Sequence, residues 1–287
     1  MSIAGPIIDW FAVNGRDLPW RRPGFTPWGA LVSEFMLQQT PVNRVLPKLA
    51  EWLERWPTPA DLAASSPGDA VRAWERLGYP RRALNLHATA VAITERHSGV
   101  VPSDVPELLA LPGIGDYTAR AVSVFAYGQR HPVVDINIRR VIARAVLGLA
   151  EPGPAAKRDL VDMEALLPPS DDDARAFNAG IMELGALVCV ARTPRCEACP
   201  IAAQCRWRLD GYPDTDAAKA PKQKRYEGSD RQVRGLVLAE LRASEIPVTR
   251  TELALVWPEA EQLDRSIAGL IFDGLAVDTG DGFELPS

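Results

Sequence analysis

Residues 189–205 read CVARTPRCEACPIAAQC, and these seventeen positions hold all four cysteines of a 287-residue chain. The spacing is C-x6-C-x2-C-x5-C. A zinc ribbon uses two C-x2-C hooks, and here there is one. Four thiolates on a compact loop also suit a cubane iron–sulfur cluster. Both metals remain open on spacing alone. A structural disulfide framework is a poor explanation for four clustered cysteines, because the chain lacks the marks of secretion; scattered unliganded thiols are the third alternative. Its first residues show no basic stretch followed by an apolar leader, and no apolar run approaches the roughly 20 residues that span a bilayer. A soluble, cytoplasmic protein is expected.

Working outward, "SDDDARAFNAGIMELGALVC" (170–189) predicts a helix that delivers Cys189, with Ser170 as N-cap and Asp171–Asp173 in the first turn. Pro194 and Pro200 break regular structure, so Cys196, Cys199 and Cys205 can fold back over a metal. Arg192, Arg195, Arg206 and Arg208 surround these thiols in sequence, either balancing their charge or presenting a positive loop to phosphate. Net charge is −5. That opposes a polyanion partner globally, but basic groups gather at Arg16–Arg22, Arg72–Arg82, Arg139–Arg144, Arg192–Arg208 and Lys219–Arg234, and distribution matters more than the sum.

To about residue 210 the chain reads as helix, with apolar residues recurring at three and four, as in Val141, Ile142, Ala145, Val146 and Leu149. Residues 213–229 are polar and lysine-rich and read as a linker. Residues 230–287 read as three helices and a hairpin, a small winged-helix-like module. Thr249 or Thr251 is expected to cap the second of these helices and Pro258 to open the third. The module is acidic around Glu252–Glu261, which favours packing over contact with DNA. Within 106–128, "LPGIG" joins two helices. Gly113 and Gly115 allow a tight turn and a close backbone approach, beside a helix N-terminus whose N–H groups can meet an anion.

The LPGIG hairpin, the aspartate of "VVDINIRRV" (133–141) and the cysteine spacing together resemble the helix–hairpin–helix DNA glycosylases of the endonuclease III superfamily. "LPW" (18–20), "SEFMLQQTPV" (33–42), "LGY" (77–79) and "ALNLH" (83–87) are similar to the adenine-excising MutY branch. The resemblance covers roughly residues 7–210. It implies a mainly α fold of two lobes. Residues 1–25 and 134–212 would form the iron–sulfur lobe and 26–133 a six-helix lobe carrying the hairpin, followed by the linker and the winged-helix-like module. It also implies a 4Fe–4S cluster on Cys189, Cys196, Cys199 and Cys205, a monovalent cation at the hairpin, and a monomer acting on double-stranded DNA with a mismatched or oxidised pair, nucleoid-associated.

Hydrolysing an N-glycosidic bond needs an acid for the leaving base and a carboxylate beside the oxocarbenium-like sugar. Glu34 matches the family's acid. Its neighbours Leu31, Val32, Phe35 and Met36 predict burial, which would raise its pKa. Asp135 matches the carboxylate and is also a natural N-cap, so helix-end N–H groups are expected to keep it ionised. Asn137 matches a residue that organises the site. Gln38, Gln39, Thr40 and Tyr79 match residues that meet or wedge into DNA, as Gly113 and Gly115 match its hairpin contacts. Tyr117 stands where endonuclease III has its lysine nucleophile, and no lysine lies in this hairpin, so base removal without strand cleavage is expected. Pro80 replaces the second tyrosine of the family's "GLGYY", and the tail is shorter than the hydrolase-like domain that many members use to check for 8-oxoguanine. Adenine excision is therefore better supported than strict 8-oxoguanine discrimination. The alternatives are a mismatch thymine or uracil glycosylase of the same fold, and a DNA-damage sensor without catalysis.

Overall fold

The computed structural model describes residues 2–214 and 225–287, so residues 215–224 of the expected linker lie outside the described residues. The described chain is helical apart from one two-residue strand pair, Val277–Asp278 with Phe283–Glu284. It divides into two units. Among the described residues, one is drawn from 2–30, 103–105 and 115–214, the other from 31–102, 106–114 and 225–287.

In the first unit the helix Asp171–Leu187 is central. Ser170 caps it, accepting from Asp173 N–H, and three aspartates occupy its first turn, where the helix dipole favours them. Its buried Phe177, Ile181 and Leu184 pack with Ile7 from the N-terminal helix Ala4–Asn14 and with Ile138 and Val141 from the helix Ile136–Ile142. The close approach of Ile136–Ile142 depends on Gly185. A Cβ there would lie 2.8 Å from both the Cβ and the carbonyl oxygen of Asn137. The N-terminal segment is tied down by Glu183, 1% exposed, whose carboxylate accepts from the guanidinium groups of Arg16 (2.7 Å) and Arg21 (2.9 Å). Beyond Ile142 the helix widens into a π-type turn, Ala143–Leu147, and this turn carries Arg144.

The second unit has an aromatic centre. Trp52 meets Trp56 and Trp74 edge-on at 4.6 and 5.6 Å between centroids. Around it lie the helices Val42–Arg55, Pro67–Trp74 and Arg81–Arg96. The C-terminal residues 230–287 form the expected three helices, Asp230–Ala243, Arg250–Val256 and Ala260–Phe272, plus the hairpin, to which Val248 adds a bridge at Phe283. Thr249 caps the second helix in a reciprocal box with Glu252. The third helix starts at Ala260 with Glu259 as its N-cap, two residues later than the Pro258 start expected from sequence. This module packs on the same unit's helices: Arg242 Nε donates to Val71 O at 3.1 Å, Arg72 to Ser244 O at 3.1 Å, and Gly68 N to Pro286 O at 2.7 Å. No helix among the described residues is long and apolar enough to cross a membrane.

Candidate active site and metal centre

The helix Pro27–Leu37 carries Glu34, which is 9% exposed between Ser33, Phe35 and Met36, all buried. The helix ends at Leu37, and the chain turns through Gln38, Gln39 and Thr40. Gln39 is exposed and has φ +54°, a left-handed conformation uncommon outside glycine. Thr40 is buried and donates its hydroxyl to Leu77 O at 3.2 Å, so it shapes the turn that presents Gln39. Tyr79 is 55% exposed and also left-handed, with φ +48°. These residues and Gly113 belong to the second unit. Gly113 has φ +73°, and a Cβ there would come within 2.6 Å of Asn85 Cβ, so both conformation and packing demand glycine. Gly115 differs. It precedes the helix Asp116–Tyr127 with φ −99°, and an added Cβ would meet nothing within 4 Å. Neither strain nor a neighbouring group explains the glycine at 115.

Asp135, Asn137, Tyr117 and the four cysteines belong to the first unit. Tyr117 packs against Ala121, Val124 and Val133. Asp135 caps the helix Ile136–Ile142: one carboxylate oxygen accepts from Ile138 N–H at 2.7 Å, the other from Asn137 Nδ2 at 2.7 Å. The cap is as expected, and its donors pull the carboxyl down, but they do not set the net direction. Burial dominates and lifts Asp135 above the usual carboxylate range, against the downward pull of Ile138, Asn137 and the Arg140 guanidinium. Asn137 Oδ1 in turn accepts from Arg140 Nη2 at 2.8 Å, and Arg140 Nε donates to Cys189 O at 2.7 Å. A continuous hydrogen-bonded chain thus runs from Asp135 to the backbone of the first cysteine.

All four cysteines line one cavity, whose other walls are mainly apolar, among them Leu184, Val188 and Ile201. Burial pushes the Cys199 thiol up to about 11 and raises Cys205 as well, so metal coordination is what would hold them as thiolates. Arg144 is a buried cation within reach of the sulfurs. It is 3% exposed, places Nη1 3.6 Å from Cys189 Sγ, and donates to Val190 O and Ala191 O at 2.8 Å each, with Trp207 against its face at 4.8 Å. Of the arginines expected around the cluster, Arg195 and Arg208 line the cavity, while Arg206 pairs with Asp210. Sequence reading missed the buried Arg82, Arg140 and Arg144. The available signal was that Arg140 and Arg144, four apart, sit beside the core positions Val141 and Ala145.

Fold and site define a class that the comparisons with known proteins make specific. Residues 32–160 match the HhH-GPD superfamily base excision DNA repair protein, and residues 189–205 match the iron–sulfur binding domain of endonuclease III. A solved thermostable thymine-DNA glycosylase superposes with TM-score 0.66 at 27% identity, covering 72% of this chain and 95% of that one. Among curated relatives, the adenine DNA glycosylase of Mycolicibacterium smegmatis is 54% identical over 96% of this chain and 93% of its own. That of Mycobacterium tuberculosis is 52% identical over 99% and 96%. The chain belongs to the adenine DNA glycosylases. It is an enzyme of base excision repair that acts on DNA and carries a 4Fe–4S cluster on Cys189, Cys196, Cys199 and Cys205.

Proposed function

We propose that this glycosylase acts as a monomer on duplex DNA, removing adenine mispaired with 8-oxoguanine or guanine by hydrolysis and leaving the strand intact. Glu34 donates a proton to a ring nitrogen of the extruded adenine. The C1′–N9 electron pair then leaves with a neutral base. Asp135, ionised, stabilises the oxocarbenium-like sugar before water adds at C1′. The observation that carries this reading is Asp135 itself. A carboxylate lifted by burial, yet held by a backbone N–H and an amide at 2.7 Å each, is a costly arrangement for a mere cap. Asn137 orients it. The cluster, when bound, supplies charge and cross-linking to the loop 189–205, and Arg144 and Arg140 tie that loop to the Asp135 helix. Gln38, Gln39 and Tyr79 enter the duplex where the adenine leaves the stack. Gly113 forms the hairpin turn, and Gly115, open to solvent, lets a phosphate approach the helix N-terminus.

Tyr117, in place of a lysine nucleophile, supports hydrolysis without a Schiff base. Borohydride should therefore fail to trap the enzyme on substrate, and efficient trapping of the wild-type enzyme would overturn this point. The likeness to a thymine-DNA glycosylase favours one second reading, excision of mismatched thymine or uracil. Duplexes carrying A opposite 8-oxoguanine, A opposite G, T opposite G and U opposite G, cleaved by alkali after incubation, separate the two. Release from the first pair of duplexes alone is expected, and release of T or U but not A would refute the assignment.

A further inference from the structure

A buried cation whose hydrogen-bond acceptors are all neutral stands behind the two turns that expose Gln39 and Tyr79. Arg82, in the first turn of the helix Arg81–Arg96, is 7% exposed. Its Nη1 donates to the carbonyls of Phe35 (2.8 Å), Met36 (3.1 Å) and Gln38 (2.5 Å). Its Nη2 donates to Thr40 Oγ1 (3.0 Å), Leu77 O (3.4 Å) and Gly78 O (2.8 Å). The rings of Trp74 and Tyr79 lie 5.1 and 5.6 Å from the guanidinium carbon. Nε is buried with no hydrogen-bond partner among the described residues. Burial lowers the group to about 10, which leaves it charged at neutral pH.

Stability gives little reason for this arrangement, because buried charges are seldom better than apolar groups of the same size. Geometry gives a better one. Phe35 and Met36 carry two of the last carbonyls of the Glu34 helix, which the helix itself cannot satisfy. Gln38 and Thr40 flank Gln39, and Leu77 and Gly78 immediately precede Tyr79. Gln39 and Tyr79 both hold left-handed backbones, and such conformations persist only where their surroundings over-determine them. A planar guanidinium with donors in fixed directions can fork between two turns; an ammonium cannot.

We propose that Arg82 is a positioning residue that locks the Gln39 turn and the Tyr79 turn to the end of the Glu34 helix, so that both side chains enter a duplex as one rigid insert. This rests on the reading of Gln39 and Tyr79 as wedges. Its consequence is that losing Arg82 impairs extrusion of the adenine nucleotide and spares cleavage of the bond. The test is single-turnover adenine release by the full-length holoenzyme from two substrates: adenine mispaired with guanine in a stacked duplex, and adenine unpaired in a bulge, where extrusion is already largely met. Arg82→Lys should lose about 100-fold on the mispair and less than about fivefold on the bulge, since unstacking costs a few kcal/mol. An equal loss on both substrates, or full rescue by lysine, overturns the proposal. Tyr79→Ala runs alongside. If it shows no selectivity for the bulge, the wedge reading itself fails; if it does and Arg82→Lys does not, only the role of Arg82 fails. Should Arg82→Lys not fold, Thr40→Val removes one acceptor of the fork and the hydroxyl bond to Leu77. It should show the same selectivity at about tenfold, and a loss shared equally by both substrates would again overturn the proposal.

Discussion

Replacing Asn137 by alanine tests how Asp135 is kept ready. The substitution keeps the Cβ that packs against Gly185, so the helix contact survives. It removes the 2.7 Å donor to Asp135 and the 2.8 Å acceptor of Arg140. Burial already lifts Asp135 above the ordinary carboxylate range, and the amide is one of the groups pulling it down. A hydrogen bond to a charged group contributes about 1.5–3 kcal/mol. At about 1.4 kcal/mol per pH unit, its loss raises Asp135 by a further one to two pH units. The ionised form is then lost at higher pH, so the acid limb of the rate profile moves toward alkaline pH. Single-turnover adenine release measured from about pH 5 to pH 9 reads this directly. The variant should be slowest relative to wild type at the acid end and regain most of its rate at the alkaline end. A uniform fall in rate with the limb unmoved would refute the reasoning.

Other outcomes follow from the same geometry. Glu183 is held down to about 2 by Arg16 and Arg21, from an ordinary value of 4.5. Its contribution is fully present above about pH 4.5 and is lost as pH falls toward 2. Allowing for the partly exposed Arg16, it is about 2–3 kcal/mol, so Glu183→Gln should lower Tm at pH 7 and flatten its fall between about pH 4.5 and 2.5. Unchanged acid unfolding would contradict this. Purified protein should be brown, absorb near about 400 nm and contain iron. Cys199→Ala should lose iron and unfold at lower temperature, whereas a colourless zinc protein would overturn the assignment. Gly113→Ala forces a left-handed alanine into Asn85 and should cost about 2–4 kcal/mol in denaturant unfolding. Gly115→Ser has room and a capping hydroxyl, so stability should stay within about 0.5 kcal/mol while DNA binding weakens; equal effects of the two glycine variants on stability would show that Gly115 is structural.

Much of this architecture is legible in local sequence because local chemistry fixes it. Ser170, Asp135 and Thr249 are each followed by N–H groups that need an acceptor, and each caps as expected. The cysteine spacing points to the metal loop for the same reason. Burial of charge is not legible. Arg82, Arg140 and Arg144 look like solvated positions on helices, yet each donates to carbonyls 44 to 49 residues away, at Gln38, Cys189, Val190 and Ala191 among others. Only tertiary structure brings those carbonyls together. The same holds for Asp135: its cap donors are readable, but the burial that outweighs them is set by packing that local sequence does not encode.

The most direct test is adenine release by Glu34→Gln and Asp135→Asn holoenzymes on duplex holding A opposite 8-oxoguanine, with DNA binding measured on the same preparations. Both variants should bind the duplex and keep their iron, yet release adenine at least about 1,000-fold more slowly than wild type. Release at near wild-type rate by either variant would contradict the assignment of acid and stabilising carboxylate.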